Sequence, residues 1–248
     1  MPHVSAPACT DAGTTVHLGA AVPGLAAETA LATWDAVCRP GVPLHWAALG
    51  TGSGPGRGPD AVRAAAAARV AGAGGLVLGR LDLAAGTRSF GALLSDAHRH
   101  LEWYGVDGFL LVRCPTDRAA LPEVRRLTTT LRALRSGAHL VLGQGTHPHP
   151  GYVETADQLV TFAGAWSAYR WSQVEPWTAD YPVRRFCHLV YGVPRGHLDE
   201  ALRIARWQGA GSVFLTDHTV TRDSRSPWSR LPGYWDDFVS RIGTGVSE

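Results

Sequence analysis

The sequence predicts a single α/β domain folded as a (β/α)8 barrel of the TIM type, and three observations carry that expectation. Eight short apolar runs recur along the chain. Helical patterns lie between several of them and stop at glycine. The 248 residues suffice for one such domain and do not require two. Continuous apolar strands alternating with helices imply a parallel sheet covered by helices. An open doubly wound sheet is the alternative reading of the same alternation.

Residues 1–12 read as a disordered lead-in, and residues 13–242 as the barrel. The first strand is Thr15–Val22 and the second Pro43–Leu49. TGSGPGRGPD (51–60) then reads as a loop on the functional face, followed by the alanine-rich helix DAVRAAAAARVAGAG with its stop at Gly72. After the third strand, Gly75–Leu81, comes FGALLSDAHRHLEWYG, whose His98 and His100 flank Arg99 and read as a solvated helix face. The fourth strand, Gly108–Val112, leads into DRAALPEVRRLTTTLRALRSG, with apolar residues at three- and four-residue steps. His139–Leu142, Gln158–Phe162 and Arg185–Tyr191 are the next strands. LDEALRIARWQGAG precedes the last strand, Ser212–Thr216.

Composition narrows the function. Hydrophobic residues make up 45% and charged residues 18%, as in a well-buried globular core. A net charge of +2 gives no bulk basicity for nucleic acid or a membrane surface. The chain has no lysine, which excludes Schiff-base and lysine general-base chemistry. Cys9, Cys38, Cys114 and Cys187 form no CxxC pair, and Cys114 and Cys187 read as buried free thiols. No basic and apolar leader stands at the N-terminus, and no run approaches the ~20 apolar residues of a membrane span. The expectation is a cytoplasmic protein without metal or cofactor.

In such a barrel the pocket is built at the C-terminal ends of the strands. That rule nominates Trp46, Ser53, Arg80, Asp82, Arg113, Gln144, His188, Tyr191, Asp217 and His218. Arg113, Asp82, His188 and Asp217 are the candidates for chemistry, and the other six for ligand binding. TGSGPG lacks the lysine of a phosphate loop and reads as a turn that approaches a ligand. His147 and His149 in THPHP lack further metal ligands at a telling spacing. SPWSRLPGYWDDF (226–238) is either an aromatic lid over the core or a sugar-stacking platform.

Several segments in order resemble the spherulin 4-like family, spherulation-specific family four, which is related to microbial endo-α-1,4-galactosaminidases. They are SGPG (53–56), GRLDLAAGTR (79–88), HLEWYGVDGF (100–109), GTHPHPGYVETAD (145–157), RRFCHLVYGVP (184–194) and the C-terminal TD…PW-x-RLPGYW (216–235). The resemblance covers about residues 15 to 238 and implies a (β/α)8 barrel. It also implies that the fourth strand should end in an Asp-Glu pair and the sixth in a Glu. Here those positions are Val112, Arg113 and Ala163. The family's NPG-type turns become Gly50-Thr51-Gly52 and Gly143-Gln144-Gly145, and its two strand-end tyrosines become Arg80 and Ala85.

Glycoside hydrolysis ordinarily needs two carboxyl groups across the scissile bond. Arginine cannot act as the acid near neutral pH, and its charge opposes an oxocarbenium-like transition state. The sequence therefore leads to three expectations. The first is a rewired barrel, acting on a small cytoplasmic metabolite by cofactor-free cyclisation, isomerisation or elimination, for example in secondary metabolism. In it Arg113 and Arg80 bind an oxyanion while Asp82, His188 or Asp217 moves protons. The second is a non-catalytic glycan- or metabolite-binding pseudoenzyme, in which Arg113 pairs with an acid such as Asp82. The third is residual hydrolysis through Asp82 or Asp217.

Overall fold

A computed structural model describes residues 18–25, 31–50, 52, 54–220 and 226–243. Eight parallel strands close into a barrel in chain order, each paired with the next and the last with the first. They are β1 Gly19–Val22, β2 Leu44–Leu49, β3 Leu76–Asp82, β4 Gly108–Val112, β5 His139–Gly143, β6 Gln158–Ala165, β7 Phe186–Tyr191 and β8 Ser212–Thr216. Closure excludes the open doubly wound sheet. The part of the first expected strand before Leu18 and the lead-in at 1–12 lie outside the described residues.

The helices are α1 Leu31–Val37, α2 Ala61–Gly72, α3 Phe90–Tyr104, α4 Leu121–Leu134, α5 Trp166–Tyr169, α6 Leu198–Trp207 and α7 Trp235–Gly243. Asp60 caps α2 by accepting from the amides of Val62 and Arg63 at 2.9 and 3.0 Å. Ser89 caps α3, which ends on Gly105 in the left-handed conformation, φ 59°.

The outer layer departs from eight full helices. Between β5 and β6 the chain makes only a 3-10 turn, Pro150–Thr155. After the four-residue α5 it returns to β7 through two more 3-10 turns. Pro148, Pro150, Pro176 and Pro182 explain this, since proline lacks an amide donor and bars its predecessor from helical geometry.

The barrel interior is filled. Trp46 on β2 donates from Nε1 to Gln158 Oε1 on β6 at 2.7 Å. Those strands face each other across an eight-stranded ring, and both residues are fully buried. This corrects the placement of Trp46 at the pocket: its indole spans the barrel, with its one polar atom satisfied.

His100 is also corrected. It is fully buried, because Gly79 leaves the space that its ring fills: a Cβ at Gly79 would lie 2.7 Å from the imidazole. Its Nε2 lies 3.1 Å from the carbonyl oxygen of Arg80. The expected solvated face therefore bears a core histidine that ties α3 to β3.

Candidate functional site

The strand ends define the mouth of the barrel, and β3 carries most of its charge. Arg80 and Asp82 are two residues apart and so share a face of the strand. The register sets Asp82 beside Val112 on β4, and Val112 beside Gly143 on β5.

The β3 and β4 ends are fastened together. The amide of Leu83 donates to Val112 O and that of Ala85 to Arg113 O, both at 3.0 Å. Ala84, Ala85 and Arg113 have φ of 48°, 55° and 51°, left-handed backbone that is costly for side chains with a Cβ. The strain at Arg113 redirects the chain at the strand end, where its guanidinium meets Asp82.

That meeting is bidentate. Arg113 Nε donates to Asp82 Oδ1 at 2.8 Å, and Nη2 to Oδ2 at 2.6 Å. Oδ1 also accepts from the amide of Ala84 at 2.9 Å. The Asp82 side chain is 12% exposed and that of Arg113 64%. Burial pushes the Asp82 carboxyl up, but the hydrogen bonds from Arg113 and Ala84 and the charges of Arg113 and Arg80 outweigh it. The carboxyl is held below its ordinary value and is ionised at neutral pH. Asp82 in turn raises Arg113.

Arg80 is less well served. The only hydrogen bond of its side chain among the described residues runs from Nη1 to Pro23 O at a long 3.4 Å. Its buried Nε has no partner. Burial lowers its pKa, with Asp82 opposing and Arg113 adding to that shift. It remains a cation.

Gln144 stands next in the arc, its amide nitrogen 3.8 Å from Cys114 Sγ and its Oε1 buried without a partner. Gly145 packs directly on Ala163, where its Cβ would lie 3.1 Å from the alanine Cβ. The two residues also exchange a backbone bond of 2.9 Å from Ala163 N to Gly145 O. The mouth therefore brings together Arg80, Asp82, Arg113 and Gln144.

The other described candidates are taken up in packing and in bonds to the backbone. His188 is 1% exposed, with Nδ1 2.8 Å from the Tyr169 hydroxyl, and it packs against the rings of Phe162 and Tyr169. Burial first, then the positive field of His147, lowers its pKa to about 3, so it is neutral and enclosed. Asp217 accepts from the amide of Gly233 at 3.1 Å, and His218 Nε2 lies 2.9 Å from Leu231 O. Tyr191 packs edge-on to Trp228. These three residues fasten the aromatic segment, whose Tyr234 and Trp235 are buried. Ser53 lies outside the described residues.

Sequence reasoning missed the residues that hold the SGPG loop. A Cβ at Gly54 would lie 2.6 Å from Asp96 Oδ2 on α3. Asp96 is paired with Arg88 and Arg99. Arg63 Nη1 and the Tyr104 hydroxyl both donate to Pro55 O, at 2.6 and 3.3 Å. The motifs SGPG, GTR and HLEWYG thus meet at one latch. Their separation in the chain, not their residue types, hid it.

His149 Nδ1 accepts from the amide of Gly151 at 3.1 Å, while His147 packs on Trp177. Among the described residues no group of three or more His, Cys, Asp or Glu is placed to hold a metal ion. Cys114 and Cys187 are buried free thiols, pushed up to about 12 by burial. A hollow of about 170 Å3 opens behind the β3 and β4 ends, lined by Leu83, Phe90, Leu93, Pro115, Val124 and Leu127 among others. No described helix is long and apolar enough to cross a membrane.

Comparison with known proteins agrees with this architecture. Sph3 from Aspergillus clavatus, whose structure was determined in complex with GalNAc, superposes with a TM-score of 0.77 at 19% identity over 92% of this chain and 98% of that one. The glycoside hydrolase domain of PelA from Pseudomonas aeruginosa gives 0.47 at 15% identity, over 79% and 93% of the two chains. No curated protein matches the sequence significantly. The family model of spherulation-specific family 4 matches residues 45–242, most of the barrel, and the chain belongs to that family.

Proposed function

We propose that this barrel binds a sugar at its mouth and does not hydrolyse it. The carrying observation is the Arg113–Asp82 pair: at a strand end where the family resemblance implies a carboxylate, an arginine engages both oxygens of Asp82. A glycosidase acid must hold a proton near its working pH and a nucleophile must have a free oxygen. Asp82, held low, is not the acid, and the arginine bonded to both its oxygens blunts it as a nucleophile.

The same geometry weighs against conversion of a small metabolite by cyclisation, isomerisation or elimination. That reading assigns proton transfer to Asp82, His188 or Asp217. His188 is enclosed with Tyr169, and Asp217 is bonded to the backbone of Gly233. Asp82 is held ionised by Arg113, and His188 is held neutral and shut off from solvent. Family membership and the GalNAc bound to the Aspergillus relative support a sugar as the ligand.

The test pairs calorimetry with product analysis on N-acetylgalactosamine and galactosamine oligosaccharides and their acidic counterparts. Saturable binding with no new reducing ends is the expected result. Release of shorter oligosaccharides by the wild-type protein would overturn the proposal.

A further inference from the structure

Among the described residues, the β3 and β4 ends bring two guanidiniums to one carboxylate, and both oxygens of that carboxylate are already bonded. Asp82 Oδ1 accepts from Arg113 Nε and the amide of Ala84, and Oδ2 accepts from Arg113 Nη2. Arg80, on the same face of β3 and two residues deeper, forms no ion pair among the described residues. Its Nε is buried and unpartnered, and its single bond to Pro23 O is 3.4 Å long. A buried donor without a partner is costly, more so on a charged group. The residues beside Asp82 and next along the arc, Val112 and Gly143, are neutral.

Placement makes this a site and not a stray cation. Arg80 lies in the barrel strand, its guanidinium confined by burial, so little side-chain entropy is left to lose on binding. Arg113 stands above it, held in left-handed backbone, with its side chain largely in solvent. A planar guanidinium matches the geometry of a carboxylate or phosphate. An oxyanion entering from solvent would meet Arg113 first and Arg80 beneath it.

We infer that the barrel mouth selects a sugar bearing an oxyanion, a carboxylate or a phosphate, which Arg80 and Arg113 bind together. This rests on the reading of the mouth as a sugar site and adds the chemical class of the sugar. Asp82 orients Arg113 and keeps the mouth from carrying two uncompensated cations when empty.

Calorimetry on the full chain would compare oligogalacturonate, galactose 6-phosphate, N-acetylgalactosamine and galactosamine. One or both acidic probes should bind at least about tenfold more tightly than N-acetylgalactosamine, with galactosamine weakest. Whichever acidic probe binds more tightly identifies the oxyanion. The advantage should shrink in high salt. It should vanish in Arg80→Gln and survive in part in Arg80→Lys, which keeps the charge but loses the planar fork. Arg113→Gln, at an exposed side chain, should weaken the acidic probes about tenfold without loss of fold, which keeps the test valid if Arg80→Gln unfolds. Equal binding of acidic and neutral sugars, or a preference for galactosamine, would overturn this inference and leave sugar binding standing. Failure of every sugar to bind would overturn both.

Discussion

Arg113 grips Asp82 through two hydrogen bonds, of 2.8 and 2.6 Å, from a backbone with φ of 51°. The residue is thus strained and bonded at once, and the two effects can be separated. Arg113→Gly and Arg113→Val both delete the ion pair. Only valine, β-branched, must still adopt the left-handed region. Urea denaturation should find Arg113→Val clearly less stable than Arg113→Gly. Equal midpoints would mean that the backbone relaxes and that no strain is stored there.

The contact between Gly79 and His100 predicts a core effect far from any ligand. Gly79→Ala would place a Cβ 2.7 Å from the ring of a fully buried side chain. Overpacking of this kind costs about 1–3 kcal/mol. Chemical denaturation of the variant measures it, and an unchanged midpoint would refute the packing described.

Buried histidines make the fold sensitive to mild acid. Burial lowers His100 to about 4 and His188 to about 3, whereas unfolded histidine titrates near 6.5. Below about pH 6.5 the unfolded chain therefore binds more protons than the native one. Stability is full above that pH and falls as the pH drops toward 4, by about 1.4 kcal/mol per pH unit for each histidine. Denaturation midpoints at pH 7 and pH 5 should differ accordingly. A flat profile would contradict the burial.

The latch under the SGPG loop can be opened at one atom. Gly54→Ala would push a methyl group to within 2.6 Å of Asp96 Oδ2. Faster amide exchange should follow in residues 54–58, with the barrel strands unaffected. Tyr104→Phe, which removes only the bond to Pro55 O, should act in the same direction and less. Unchanged exchange in both variants would show that the latch does not hold the loop.

The eight strands are legible because each is a short apolar run, and closure into a barrel follows from their number and the helices between them. α7 is less visible: WDDFVSRI buries Trp235, Phe238, Val239 and Ile242 at helical spacing, yet its aromatic content reads equally as a lid or a platform. At the site, alternation along β3 makes Arg80 and Asp82 neighbours in the sequence itself. The pairing of Arg113 with an acid such as Asp82 is one of the sequence readings and the structure bears it out, while its bidentate form is not legible, because it depends on an arginine in left-handed backbone. Trp46 and His188 show the converse failure. Both are nominated as pocket residues, yet each is the third residue of a six-residue strand, and a hydrogen bond across the barrel and a tyrosine against the imidazole enclose them.

The account turns on the protonation of Asp82, and its carboxyl can be followed directly. Carbon-13 NMR of aspartate-labelled protein, assigned with Asp82→Asn, would give the titration of that one group. The Arg113 pair predicts a midpoint below the ordinary carboxylate value, 3.8, and no change of state between pH 5 and 8. A midpoint near neutrality would make Asp82 a working acid or base and would contradict the reading of this barrel as a binder that does not cut.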